Sequence, residues 1–159
     1  MKKKKQVLKR TIGRLELVDF PQFQIEGVEA KIDTGAYTGA IHCNNIQLVK
    51  LADGQASLRV NLLDDAHPNF DGCLMEFTDF SLRTIKSSTG EAQRRYVIRT
   101  VIRLFGEDFT TDFSLSDRSD MKYPVLIGRS LLRRGCFLVD VSKRYVGSKK
   151  RFTPGSLQS

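Results

Sequence analysis

The chain has 159 residues with 26 Lys and Arg against 18 Asp and Glu, which gives a formal net charge of +8. This length favours a single domain with a substantial hydrophobic core. The positive charge is concentrated at the two ends, because residues 1–10 carry six basic groups, residues 141–159 carry five, and neither stretch contains an acid. Residues 11–140 hold 15 basic and 18 acidic groups, which gives no support to nucleic acid as the main ligand of the domain. Only weak, salt-screened contacts of the tails with polyanions are expected.

Hydropathy and cysteine usage limit the location of the protein. No stretch is apolar over the roughly 18–20 residues that a membrane-spanning helix needs, so no membrane association is expected. The basic start lacks the apolar region and cleavage site of a signal peptide. The three cysteines, Cys43, Cys73 and Cys136, show no C-x-x-C spacing, which is typical of free thiols in a reducing compartment. These features predict a cytoplasmic protein.

The first predicted elements are short strands separated by turn residues. Leu15 to Val18 is predicted as a strand, Asp19 to Gln22 as a turn, and Glu26-Gly27 as a tighter bend that returns the chain into a second strand. Alternating apolar residues on both sides of Ala52-Asp53-Gly54 predict a β-hairpin. The remaining strands in this part of the chain are predicted over residues 73–77, 81–85 and 96–105.

The last part of the chain predicts an apolar strand that reaches Gly128 and a helical turn that carries Leu131 and Leu132. Gly135 is placed to end this turn in a left-handed conformation. Many short strands and one helical turn predict an all-β, barrel-like domain with one short C-terminal helix. We place this domain at residues 11–147, between a basic tail at 1–10 and a basic tail at 148–159 that is expected to be disordered.

Asp33-Thr34-Gly35 is the first candidate site. It follows a stretch, Val28 to Ile32, in which apolar and charged residues alternate as in a strand with one buried face. An acidic side chain at the turn after a buried strand is held rigidly, as catalysis requires. The same three residues also form ordinary Asx turns, so the motif alone leaves a structural role open.

A second segment, Pro124 to Leu132, adds the sequence Ile-Gly-Arg-Ser-Leu-Leu. Together the two motifs resemble the retropepsins, the half-size aspartic peptidases of retroviruses. In that family an apolar strand enters Asp-Thr-Gly-Ala, and an Ile-Gly-Arg-x-Leu-Leu element packs beneath it. The resemblance implies a retropepsin-like closed barrel, with Gly128 and Arg129 as structural residues near the site. Arg129 is expected to pair with a buried carboxylate.

A closer similarity is to a bacterial family catalogued as ATP-dependent zinc proteases, often associated with ATP-grasp ligases that add glutamates to proteins. Its pattern is matched by Lys31 to His42 and by Arg94-Arg95-Tyr96-Val97-Ile98. Tyr37 and Gly39 depart from the pattern, which has a basic residue and a serine there. The resemblance implies a functional link to an ATP-grasp ligase, but the specificity of the relatives does not transfer at Tyr37.

The family name mentions zinc, but the sequence gives little support for a zinc-binding site. The only histidines, His42 and His67, lie outside any H-E-x-x-H motif. Adjacent residues such as His42 and Cys43 point to opposite faces of a strand, so they would not bind one ion together. A cluster of His42, His67 and Cys73 is left open. With no glycine-rich phosphate loop either, we expect no metal and no cofactor.

Aspartic peptidase chemistry needs two carboxylates close enough to share one proton. The chain contains one Asp-(Thr/Ser)-Gly, so such a dyad requires a homodimer in which each protomer supplies Asp33 at a two-fold axis. By resemblance, the Thr34 hydroxyl braces the dyad and the Gly35 amide supports a carboxylate. Ala36 and Tyr37 are expected to adjoin the peptide substrate.

Basic residues dominate the segment that occupies the place of the retropepsin flap. Within it only Glu91 opposes six basic groups, which are Arg83, Lys86, Arg94, Arg95, Arg99 and Arg103. One interpretation is a solvated hairpin face. The other is a basic lid in which Arg94 and Arg95 recognise an acidic or glutamate-rich peptide through charge-assisted hydrogen bonds.

Three functions are therefore compared below. The leading one is a homodimeric aspartic endopeptidase or peptide-trimming hydrolase with Asp33 as the catalytic residue. The second is a non-catalytic module of the same fold that binds an acidic protein or another polyanion. The third is a zinc-dependent peptidase.

Overall fold

The structure is a computed structural model that describes residues 8–63, 74–86, 89–117 and 122–149. The strands within these ranges are β1 (Arg10–Ile12), β2 (Leu15–Phe20), β3 (Ile25–Ile32), β4 (Gly39–Lys50), β5 (Ala56–Leu62), β6 (Leu74–Phe77), β7 (Phe80–Lys86), β8 (Ala92–Leu104), β9 (Glu107–Ser116), β10 (Val125–Ile127) and β11 (Phe137–Val139). The helices are α1 (Arg129–Arg134) and α2 (Val146–Lys149), and Pro21–Phe23 forms a 3-10 turn. The predicted mostly-β class is confirmed.

Nine strands form one sheet in the order β10-β3-β2-β8-β9-β4-β5-β6, with β7 paired to β8. β10 also pairs with β4, so successive pairings lead from β10 through β3, β2, β8, β9 and β4 back to β10. The pairing of β2 with β8 rests on one position, Asp19 opposite Arg103. β1 and β11 form a separate parallel pair. The closed barrel stays a prediction.

The hydrophobic core fixes the strands that carry the candidate site. Val28, Ala30 and Ile32 of β3 are buried, as the alternating sequence predicts, and they join a cluster that includes Leu131 and Leu132 of α1. Phe20 and Phe113 meet edge to face in this cluster, with ring centroids 5.6 Å apart. Burial on this scale is the main source of stability for such a domain.

The first hairpin turns earlier than the sequence predicts. The chain reverses at the 3-10 turn, where Gln24 is left-handed with φ 57°, and β3 begins at Ile25. The predicted bend at Glu26-Gly27 is therefore wrong. Gly27, with φ 70°, instead lies in a bulge of β3, and its N–H donates to Asp19 Oδ1 at 2.9 Å. A glycine with positive φ suits a bulge as well as a turn, so the sequence signal is ambiguous.

The later hairpins agree with the sequence. β4 and β5 flank Asp53-Gly54, and β8 and β9 flank a two-residue turn at Phe105-Gly106. Both turn residues have positive φ, 57° and 71°, which is the type I′ geometry favoured between antiparallel strands. Residues 64–73, 87 and 88 lie outside the described residues.

The predicted helical turn is confirmed as α1, but its end differs from the prediction. Gly135 has φ −81°, and the left-handed residue is Cys136 with φ 57°. Gly135 is required by packing, because a Cβ there would collide with the ring of Phe137. A four-residue helix that the sequence does not predict, α2, follows β11.

The ends of the chain leave two expectations open. Residues 1–7 and 150–159, which hold most of the two predicted basic tails, lie outside the described residues. The domain bounds at 11 and 147 therefore stay a prediction. No helix in the described part of the chain is long and apolar enough to cross a membrane.

Candidate active site

Asp33 lies where two parallel strands end side by side. Val125–Ile127 of β10 pairs in register with Ala30–Ile32 of β3. The Asp33 N–H then donates to the carbonyl of Ile127 at 2.9 Å, which continues the ladder by one residue. The half-buried Asp33 is thus tied to two buried strands.

The turn itself holds one oxygen of the Asp33 carboxylate. The Gly35 N–H donates to Asp33 Oδ1 at 3.0 Å, and the Ala36 N–H donates to the Asp33 carbonyl at 3.3 Å. Asp33 Oδ2 makes no hydrogen bond within the described residues. Thr34 and Gly35 are exposed, so the turn faces outward. This arrangement leaves one carboxylate oxygen for a ligand or for a second carboxylate.

The junction of β10 and α1 packs directly beneath this turn. The Arg129 and Ser130 N–H groups donate to the carbonyls of Ala36 and Tyr37 at 2.7 and 3.1 Å. A Cβ on Gly128 would lie 2.6 Å from the Tyr37 carbonyl oxygen, so only glycine allows the two segments to approach this closely.

Within the described residues Arg129 contacts the turn through backbone carbonyls and no carboxylate, so these residues do not form the expected ion pair. Its Nη1 donates to the carbonyl of Gly35 at 3.1 Å and lies 3.5 Å from that of Thr34. Its Cζ lies 5.6 Å from the centroid of the Tyr37 ring. The aromatic face of Tyr37 attracts the guanidinium without a carboxylate.

Three arginines of the predicted basic lid form ion pairs with acids that lie outside the segment. Arg83 and Arg99 both pair with Asp112, at 3.0 and 3.1 Å, and Arg103 binds Asp108 through two hydrogen bonds. Glu91 is the only acid within the segment, but acids outside it pair with three of its arginines. The missing acids lie on β9, directly across the β8–β9 hairpin. In a two-residue hairpin with its turn at Phe105-Gly106, residue 103 pairs with 108 and residue 99 with 112. These pairings could have been read from the sequence once the turn was located.

Arg94 and Arg95 occupy the outer part of the β7–β8 hairpin, opposite Thr84 and Arg83. Arg94 is exposed, and half-buried Arg95 donates to Gln93 Oε1 at 2.8 Å. Neither residue contacts the Asp33 turn within the described residues. Their role in substrate binding stays a prediction.

A cavity of about 320 Å³ adjoins the Asp33 turn. Its walls come from the chain after the turn, from the β10–α1 junction and from β7, β8 and β9. The lining residues with polar or charged side chains are Tyr37, Thr38, Arg83, Arg99, Thr111, Asp112, Ser130 and Arg134. The structure thus brings Tyr37 and Gly128 together with three arginines, of which Arg134 was not predicted as a site residue.

The described residues around His42 do not fit a zinc site. His42 is buried with Nδ1 3.8 Å from Asp117 Oδ1, and burial raises the pKa of the neighbouring Cys43 thiol to about 12. Without a bound metal this thiol therefore keeps its proton at neutral pH. No group of three or more His, Cys, Asp or Glu within the described ranges could hold a metal. His67 and Cys73 lie outside them, so the cluster left open above is not decided.

Comparisons with known proteins agree with this fold and turn. Residues 11–150 match the family described as RimB-like, retropepsin-like aspartic endopeptidase RimB. A probable alpha-L-glutamate ligase of Shewanella pealeana is 33% identical over 141 residues, which cover 87% of this chain and 30% of that protein. A protein of the same description from Desulfotalea psychrophila is 32% identical over 151 residues, with 89% and 32% covered. The chain thus spans about a third of the length of these relatives.

A solved structure shows the same fold. It is that of a Legionella pneumophila protein of unknown function, with a TM-score of 0.67 and 22% identity over 86% of this chain and 97% of the other. The family match extends over both the Asp33 turn and the Gly128-Arg129 junction, on which the resemblance was first based. The chain therefore belongs to the RimB-like family of retropepsin-like aspartic endopeptidases.

Proposed function

We propose that this protein is an aspartic-type peptidase in which Asp33 from two protomers forms the catalytic dyad of a homodimer. The supporting observation is the placement of Asp33 at the paired ends of β3 and β10, with Oδ1 bound by the Gly35 amide and Oδ2 without a partner in the described residues. Asp53 and Asp140 make the same hydrogen bond to the N–H two residues on, so the Asx turn alone does not distinguish Asp33. Asp33 is distinguished by its attachment to the two buried strands β3 and β10.

The chemistry requires that the two carboxyl groups share one proton, because like charges this close cannot both ionise. The ionised Asp33 takes a proton from water as the water oxygen attacks the scissile carbonyl carbon. The protonated Asp33 gives its proton to the carbonyl oxygen. The tetrahedral intermediate then collapses: the amine nitrogen receives a proton from one carboxyl, the C–N bond breaks, and the other carboxylate takes a hydroxyl proton. The dyad ends with one proton, as it began.

Self-association is part of this proposal, because each chain supplies one Asp-Thr-Gly. Leu138 of β11 and the nearby Val141 are apolar and exposed, at 52% and 73% of their surface. Within the described residues β11 pairs only with β1, so its other edge is open. An open strand edge with exposed apolar side chains supports pairing with a second chain.

The proposed substrate is an acidic or glutamate-rich peptide in the cytoplasm. The support is the arginine-lined cavity beside the turn and the printed name of the longer relatives, probable alpha-L-glutamate ligase. A ligase that adds glutamate to a protein would supply such a peptide. We accordingly propose a functional link to an ATP-grasp ligase.

The decisive experiment replaces Asp33 by Asn and follows cleavage of a glutamate-extended peptide. Because a dyad without its ionisable group lacks both acid and base, hydrolysis should fall by about 10³-fold or more while peptide binding persists. Asp53→Asn is the matched control, since it makes the same change in an exposed Asx turn of the β4–β5 hairpin.

Other outcomes identify the rival functions. Retained hydrolysis in the Asp33→Asn protein would refute the dyad. Binding of the peptide by the unmodified protein without any cleavage would identify a non-catalytic module. Loss of cleavage on chelation, with recovery on adding zinc, would identify a metallopeptidase.

A further inference from the structure

The cavity beside the Asp33 turn is locally positive. Its lining contains three guanidinium groups, from Arg83, Arg99 and Arg134, and one carboxylate, from Asp112, an excess of two positive charges. Residues 11–140 as a whole carry more acids than bases. The positive charge of the cavity is therefore a local property that the overall composition does not explain.

Asp112 holds two of these arginines in place. It lies directly across the β8–β9 ladder from Arg99, whose Nε donates to Asp112 Oδ1 at 3.1 Å. Arg83 reaches the other oxygen from β7, with Nη1 3.0 Å from Asp112 Oδ2, while its Nε donates to Ser81 at 3.1 Å. The Asp112 side chain is only 24% exposed, so it is the more buried partner of each pair. The two guanidinium groups are thus oriented before any ligand binds.

Each of these arginines has at least one terminal nitrogen that makes no hydrogen bond within the described residues. Arg99 uses only Nε, so both of its Nη groups make no hydrogen bond within the described residues. The third arginine enters from α1, where Arg134 Nη1 donates to the Thr110 carbonyl at 2.7 Å. A planar guanidinium with free terminal N–H groups matches a carboxylate in charge and in geometry.

The cavity is also in the right place for a substrate side chain. Tyr37, Thr38 and Gly39 of its wall directly follow the Asp33 turn in the chain. Gly128 and Ser130, which also line the cavity, flank Arg129, which binds the Gly35 carbonyl. A peptide bound at Asp33 would therefore place a neighbouring residue at the cavity entrance.

We propose that Arg83, Arg99 and Arg134 form a carboxylate-binding subsite that accepts the side chain of an acidic residue in the substrate. Asp112 is the positioning residue for two of them. This inference rests on the proposed peptidase function and assigns acid recognition to the cavity, whereas the sequence alone assigns it to Arg94 and Arg95.

The test uses two peptides of equal length that differ by Glu or Gln at one position near the cleavage site. Arg99→Gln and Arg134→Gln should each raise KM for the Glu peptide about tenfold and leave kcat nearly unchanged. Tenfold corresponds to about 1.4 kcal/mol, close to the lower end for a hydrogen bond to a charged group. The Gln peptide should be cleaved equally by all proteins, because it offers no charge to lose.

Two comparisons separate a subsite from general electrostatics. Arg133→Gln removes the same charge from the exposed side of α1, outside the cavity, and should change KM less than twofold. If Arg133→Gln raises KM for the Glu peptide as much as Arg99→Gln does, long-range charge and not the subsite selects the substrate. If the double variant Arg94→Gln/Arg95→Gln has the larger effect, the lid recognises the acid and the proposed subsite is wrong.

Binding measurements keep this result distinct from the peptidase proposal. Fluorescence anisotropy of the labelled Glu peptide is compared between Asp33→Asn and Asp33→Asn/Arg99→Gln, with thermal unfolding as the check that both are folded. Weaker binding by the double variant supports the subsite even if no protein cleaves the peptide. Cleavage that depends on Asp33 together with unchanged binding and KM in both cavity variants refutes the subsite and leaves the peptidase intact.

Discussion

Among single residues, Arg129 and Gly128 determine how the Asp33 turn is supported. Arg129 binds the Gly35 carbonyl at 3.1 Å and packs its guanidinium over Tyr37, although the side chain is exposed. Gly128 allows the junction beneath the turn to touch the Tyr37 carbonyl. The turn is therefore held by backbone groups and one arginine, with β3 and β10 as its rigid base.

Replacing Arg129 should affect the chemical step more than folding. We expect Arg129→Gln to lower kcat by about 10–100-fold, since small displacements of a catalytic group cost about that much. Arg133→Gln, one helical turn further along α1, is the matched control and should leave kcat unchanged. Steady-state kinetics and thermal unfolding measure both effects. An Arg129→Gln protein with normal kcat would show that the turn holds its position without this side chain.

Cys43 provides a pH test at the residue scale. Burial, and secondarily the negative charge of Asp117, raises the pKa of its thiol from 9.0 to about 12, although Arg95 opposes the shift. Between these values the unfolded chain loses a proton that the folded chain keeps, so stability should fall as pH rises above about 9. Urea unfolding at several pH values should show this decline, and Cys43→Ala should lose that part of it. An equal decline in both proteins would assign it to other groups.

Among the elements, the segment after β11 is fastened to β2 by one buried acid. Glu16 is 0% exposed and accepts three backbone hydrogen bonds, from Gly13 at 2.8 Å, Val146 at 3.2 Å and Gly147 at 2.9 Å. Backbone bonds from Arg14 to Lys143 and from Tyr145 to Leu15 follow the same path. These contacts of Glu16 hold α2, a helix that the sequence does not predict, against β2.

Glu16→Gln should destabilise the fold by about 2–3 kcal/mol, because an amide offers one acceptor oxygen and turns a donor toward backbone N–H groups. Glu29→Gln is the control. Glu29 accepts one hydrogen bond, from the Tyr145 hydroxyl at 3.0 Å, and the amide oxygen of Gln can still accept it, so this change should cost less than about 1 kcal/mol. Urea unfolding compares the two. Equal costs would mean that the three backbone contacts of Glu16 add nothing over a single bond.

At the scale of the whole molecule, the proposed active site cannot be completed by one chain. The sequence contains a single Asp-Thr-Gly, while the dyad chemistry needs two carboxylates that share a proton. The exposed Leu138 of β11, a strand that pairs only with β1 within the described residues, supports self-association. The activity of one chain should therefore depend on whether its partner in the dimer also carries Asp33.

Subunit mixing tests this dependence. After exchange with an equal amount of Asp33→Asn protein, a fixed amount of unmodified protein should retain about half of its activity, and about a quarter with a threefold excess, because mixed dimers lack the dyad. Added Asp53→Asn protein should instead increase total activity. If Asp33→Asn protein has no effect although sedimentation shows dimers that exchange, each chain works alone and the shared dyad is wrong.

The sequence by itself determined the features that depend on local pattern. The alternation through Val28 to Ile32 and the Asp33 turn predicted which strand carries the acid, whereas the segment beneath it was implied by the resemblance of the Gly128-Arg129 motif to the retropepsins. The hairpin at Ala52-Asp53-Gly54 was predicted from the alternating apolar residues on both sides of it. These strands and turns follow from residues a few positions apart.

The tertiary structure decided which distant residues meet. Asp112 neutralises part of the basic lid, Arg134 enters the cavity from α1, and Glu16 binds a segment 130 residues away. The sequence left Arg129 without a named partner, and only the packing of α1 beneath the turn showed that it binds carbonyls. Side-chain partners across a sheet depend on register and strand order, which are set by burial of the whole core and not by any local spacing.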